Sequence, residues 1–163
     1  MGTRGAYGFI IDGTTKVSYN HLDSYPEWLG RRVLEALSGH TLEGLKARAR
    51  AIRLVPDTEK NYWRLRDFQG DMAALLDGRC QEMIDNSEFL ADSLFCEWAY
   101  LVNLDTEELE VYRGFNENPN APGRYAALRV PDSRFYGVAL VQTFPLDELP
   151  ENYKALFPAE EKT

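Results

Sequence analysis

Cysteine and histidine are scarce in this sequence. Cys80 and Cys96 are its only thiols, and His21 and His40 its only imidazoles. Two thiols cannot build a disulfide framework, nor by themselves a structural zinc site. No metal and no cofactor are therefore expected. Neither cysteine has a neighbouring motif that would activate a thiolate, so both are expected to be buried. Long apolar runs are also missing. No stretch approaches the roughly 20 residues needed to span a bilayer. Thr3, Arg4 and Asp12 interrupt any apolar run at the start, so no signal peptide is expected. Met1-Gly2 opens like a myristoylation site, but Ala6 stands where Ser or Thr is required. No glycine-rich phosphate loop follows a strand. A reducing, cytoplasmic compartment with free thiols is the expectation.

Positive charge is in deficit. Eighteen Lys and Arg face 26 Asp and Glu, a net charge of −8, and bulk acidity opposes general DNA binding. The deficit is uneven. Residues 31–66 carry nine basic and four acidic groups, whereas residues 67–163 carry seven basic and nineteen acidic. A basic helical segment thus precedes an acidic body.

What the chain has is core. Hydrophobic residues make up 44% and aromatics 12%, which favours packed structure over disorder. One domain is expected over residues 1–158, with 159–163 as a flexible C-terminal tail. Ala6 to Ile11 and Lys16 to Tyr19 are β-prone runs joined by Asp12-Gly13-Thr14-Thr15, a hairpin cue. Ser24 fits an N-cap with Glu27 as its capping-box partner, predicting a helix over 25–38 that ends at Gly39. Thr41 caps a second helix over 41–54. Lys46, Arg50 and Arg53 recur on it at i, i+4 and i+7, a basic patch able to hold phosphates. Residues 57–78 do not resolve into one element, and residues 81–94 read as partly helical. Residues 95–115 read as a hairpin, with Trp98, Tyr100 and Val102 alternating in one strand and Leu109 and Val111 in the other. The acidic run Asp105 to Glu110 reads as its solvated tip. Gly114 to Gly123 reads as an exposed loop, and 135–144 as a last strand. Strands and helices are segregated, so the predicted class is α+β: an antiparallel sheet packed against helices, without parallel βαβ units.

Chemistry concentrates where the first hairpin hands over to the first helix. Arg4 enters the first strand as residues 19–23 leave the second, so Arg4, Tyr19, Asn20, His21 and Asp23 are expected to converge as a ligand-binding site. Asn20 and Tyr19 can donate hydrogen bonds, and Arg4 fixes a positive charge. If the chain is an enzyme, His21 is the base and Asp23 its orienter.

The strings Gly2-Thr3-Arg4-Gly5-x-Tyr7-Gly8-Phe9 and Tyr19-Asn20-His21-x-Asp23-Ser24-Tyr25-Pro26-x-x-Leu29-Gly30 resemble the opening of an uncharacterised family of small bacteriophage and bacterial proteins. Glu97-Trp98-Ala99-Tyr100, Leu109 to Gly114 and Tyr136-Gly137-Val138 extend the resemblance over most of the chain. It brings no activity. It implies a phage-type accessory protein in the bacterial host cytoplasm that binds a host protein or a small anionic or phosphorylated ligand. A hydrolase or transferase built on His21 and Asp23 is the alternative, and a structural virion component a second one.

Overall fold

The computed structural model describes residues 3–158. The tail expected at 159–163 lies outside the described residues. The chain begins with the expected hairpin, β1 (Gly5–Ile11) and β2 (Thr14–Asn20), paired in register from Gly5↔Asn20 to Ile11↔Thr14. Asp12 and Gly13 at its tip both take positive φ, as a tight two-residue turn demands. Gly8 sits where a Cβ would lie 1.9 Å from the Lys16 carbonyl oxygen, so only glycine lets the two backbones meet here.

One turn with i→i+5 bonding, Pro26–Gly30, then leads directly into α1 (Arg31–Leu37). The capping box does not form. Ser24 is fully buried, donates its hydroxyl to the Leu22 carbonyl and accepts from Asn20. Asp23 instead accepts the Tyr25 N–H. The second helix, α2 (Leu42–Ala51), starts as expected, with Thr41 accepting from the Gly44 N–H. It stops three residues early, because Arg53–Val55 extends into β3. The unresolved stretch 57–78 becomes α3 (Glu59–Leu65), a 3-10 turn at Arg66–Phe68, and α4 (Met72–Asp77). Residues 81–94 hold β4 (Glu82–Ile84) and a 3-10 turn at Ser87–Ala91. The hairpin β5 (Trp98–Asn103) and β6 (Glu108–Arg113) follows, then β7 (Ala139–Pro145).

The fold is α+β, with a five-stranded sheet in the order β2-β1-β5-β6-β7. It is mixed rather than purely antiparallel. β1 and β5 run parallel, Gly5 opposite Trp98, because residues 21–97 bring the chain back to the end of the sheet at which β1 starts. β3 and β4 form a second, two-stranded parallel pair across α3 and α4, a βαβ-like unit that the apolar patterning does not reveal.

Strand alternation splits the core in two. Tyr7, Phe9, Trp98, Tyr100, Val102 and Val111 face the helices and the C-terminal segment. Ala6, Ile10, Val17, Leu101 and Tyr112 face the opposite way, under Leu90, Tyr125 and Val138. After the mostly exposed loop at 114–123, the irregular stretch 124–138 therefore helps form the second cover of the sheet. Glu110 pins it: the buried carboxylate takes two bonds from Arg124, at 2.7 and 3.1 Å, with Tyr112 Oη at 2.7 Å and Asn103 Nδ2 at 3.1 Å. No helix among the described residues is long and apolar enough to cross a membrane.

Candidate binding site

The sheet's alternation divides the five residues expected to converge. Tyr19 and Asn20 are adjacent in β2, so they point to opposite faces. Asn20 turns toward the helices, 2% exposed, and donates to the Leu22 carbonyl and to Ser24 Oγ, both at 3.0 Å. Among the described residues its own Oδ1 finds no donor, and it faces the Gly70 backbone. Asp23 accepts from Thr3 Oγ1 at 3.3 Å and from the Tyr25 N–H. Both residues therefore hold the chain reversal in place.

Arg4, Tyr19 and His21 do come together. The Tyr19 hydroxyl and His21 Nδ1 lie 2.6 Å apart. Burial raises the Tyr19 hydroxyl above its ordinary pKa, and the Arg4 guanidinium beside it opposes that shift. Arg4 also lies over the Phe95 ring, 5.5 Å from its centroid, and Phe89 meets Tyr19 edge-on at 5.1 Å. The His21 N–H donates to Gln69 Oε1 at 2.6 Å, which ties the cluster to the turn after α3. His21 and Asp23 thus bond to different partners, and Asp23 does not orient the imidazole.

Tyr19 also lines a cavity of about 290 Å³ between β2, β4 and the 62–69 segment. Leu65, Phe68, Leu75 and Met83 supply its apolar wall, while Asp57, Arg66, Gln69 and Asn86 supply polar groups. Tyr7 closes it from within the core. Burial pushes the Tyr7 hydroxyl up to about 12 against a bond from the Gly70 backbone, so it stays protonated. Cys80 lines the same space, and burial raises its thiol too, which leaves it a poor nucleophile. A half-open, mostly apolar cleft with a few polar groups is a usual form of a small-molecule site, and this one is at the small end of that range. Tyr62, Leu65 and Phe68 of its lining were the signal in the sequence. They lie in the stretch whose secondary structure the sequence does not define.

The basic patch is dispersed. Lys46 bonds Glu107 at 3.0 Å, Arg50 bonds Asp12 at 2.8 Å, and Arg53 bonds Glu82 at 3.2 Å. Arg53 lies beyond the end of α2, in β3, so the three do not share a helix face. Arg48 donates to the Leu75 carbonyl at the end of α4. Two acids of the expected solvated tip, Asp105 and Glu107, are likewise engaged. Asp105 accepts the Asp12 and Gly13 N–H groups at 2.8 and 2.9 Å, joining the tips of the two hairpins. Charges separated in the sequence are interleaved in space. Among the described residues no group of three or more His, Cys, Asp or Glu side chains is placed to hold a metal ion. Comparison with protein-family models, curated proteins and solved structures finds no match to this chain.

Proposed function

We propose that this protein is a binding module for a small molecule with an apolar body and an anionic group. The apolar body sits among Leu65, Phe68 and Met83. The anionic group sits at the rim, against Arg66 and toward Arg4 and His21. The observation that carries this reading is the double role of Tyr19, which walls the cavity and bonds His21 while Arg4 stands beside its hydroxyl. Glu82 in the same wall is engaged by Arg64 and Arg53, which reduces its repulsion of an anion. The hydrolase or transferase alternative is less well supported, because among the described residues no carboxylate orients His21. The likeness of the opening strings favours an accessory role in a phage-infected bacterial cytoplasm.

The test is a thermal-shift screen with aryl and alkyl phosphates and carboxylates. A ligand at a hundredfold excess over its Kd stabilises the fold by about 2.7 kcal/mol. Arg66→Glu and His21→Ala should each weaken that ligand while leaving the melting temperature of the free protein nearly unchanged. A screen without a stabilising anion, or a hit indifferent to both substitutions, refutes the reading.

A further inference from the structure

A second concave surface lies on other elements and shares no residue with the Tyr19 cavity. It is a groove between α1, the start of α2, the tip of the β5–β6 hairpin and residues 145–153. Its two adjoining hollows measure about 440 and 710 Å³ and meet at Leu37, His40, Leu146 and Leu149. Leu34, Leu42 and Leu45 continue the apolar floor.

The rim is acidic. Glu35, Glu107, Glu108, Asp147 and Glu151 line it. Lys46 neutralises Glu107. Among the described residues, Glu35, Glu108, Asp147 and Glu151 make no ion pair. Arg31, the one guanidinium in the lining among the described residues, lies over the Tyr153 ring, 4.6 Å from its centroid. An apolar floor inside a rim of uncompensated carboxylates repels nucleic acid, anionic lipid and a second copy of this acidic chain. It complements a cationic chain with apolar anchors.

We infer that this groove docks a basic amphipathic segment of a partner protein, whose apolar side chains rest on Leu37, Leu146 and Leu149 and whose Lys or Arg residues meet Glu35, Glu108, Asp147 and Glu151. The inference is independent of the small-ligand reading, because the two surfaces have no residue in common.

The probe is a fluorescein-labelled amphipathic helix of leucine and lysine, with binding followed by anisotropy on the full chain. The protein should bind it, and raising salt from about 0.05 to about 0.5 M should weaken the complex as the rim is screened. The double variant Glu35→Lys/Asp147→Lys alters two exposed side chains and should weaken binding by roughly tenfold or more. The variant Glu59→Lys/Glu88→Lys makes the same change in net charge outside the groove and should bind as the wild type does. A serine–lysine probe, which has charge without anchors, should not bind. Four results overturn the inference: no binding of the leucine–lysine probe, equal loss in both double variants, no loss in Glu35→Lys/Asp147→Lys, or equal binding of the serine–lysine probe. Melting temperatures of both variants, expected within a few degrees of the wild type, separate lost docking from lost folding.

Discussion

Replacing Glu110 tests how the sheet keeps its second cover. The carboxylate is 3% exposed and receives four donors. In Glu110→Leu all four lose their acceptor. Arg124 is about half-exposed, its side chain at 45%, and can turn to water. Asn103 Nδ2 and Tyr112 Oη have no such escape, and each buried unpaired donor costs about 1–3 kcal/mol. The expected loss is about 3–5 kcal/mol, in the range for breaking a buried ion pair by removing one partner. Glu110→Gln retains one acceptor oxygen. Tyr112 can reverse its hydroxyl to accept from the new amide, so the loss should be smaller, about 1.5–3 kcal/mol. Burial alone would raise the Glu110 pKa. The bonds from Arg124, Tyr112 and Asn103 outweigh it and hold the carboxyl below its ordinary value of 4.5. A depressed carboxyl contributes stability that is fully present above its unfolded pKa and is lost as pH falls through the folded one. The gap between wild type and Glu110→Gln should therefore be widest above about pH 5 and narrow toward pH 3. Urea unfolding at several pH values measures it. A Glu110→Leu protein within about 1 kcal/mol of wild type, or a gap that widens in acid, refutes the account.

Three further outcomes follow from the packing. Lys16 Nζ donates to the Ala49 and Ile52 carbonyls at 2.8 and 2.6 Å, closing the C-terminal end of α2; Lys16→Met keeps the stem but should cost about 2 kcal/mol in urea unfolding. Gly8→Ala drives a Cβ into the Lys16 carbonyl and should cost about 3 kcal/mol or prevent folding, read as loss of soluble protein or of the cooperative transition. Cys96 is fully buried with its thiol pushed up by burial, and Cys80 is nearly so; neither should react with Ellman's reagent until denaturant is added, and prompt reaction of either would contradict the core described.

The sequence was legible where local chemistry and burial agree. Asp12-Gly13 specifies a turn, and the alternation around Trp98 and Val111 specifies a hairpin, so both lie where the residues place them. Thr41 caps α2, its hydroxyl accepting the Gly44 N–H. Ser24 failed as a cap because tertiary contacts claimed it: Asn20 reaches it from β2, and the Tyr100 hydroxyl donates to its backbone carbonyl at 2.8 Å. The parallel β1–β5 pair left no local mark, since apolar alternation does not encode strand direction. The candidate site was half-visible for the same reason. Proximity in sequence predicted a cluster, but adjacency along a strand sends Tyr19 and Asn20 apart. The cavity wall comes from segments some forty to seventy residues away, which no spacing rule connects to Tyr19.

The parallel seam between β1 and β5 divides the sheet into two locally assembled pieces. One is the β1–β2 hairpin, and the other is the β5–β6 hairpin with β7, which the 114–138 stretch brings back beside β6. Each can form from neighbours in sequence, but joining Gly5 to Trp98 closes a loop of about 90 residues, at an entropic cost of about 4 kcal/mol beyond a fixed constant. Docking of the halves is thus the late, slow event in folding. Until it happens, β1 and β5, whose every residue is buried in the finished fold, present two bare apolar edges. The seam that joins the sheet within one chain is then also where a crowded, half-folded population would exchange its N-terminal hairpins between chains.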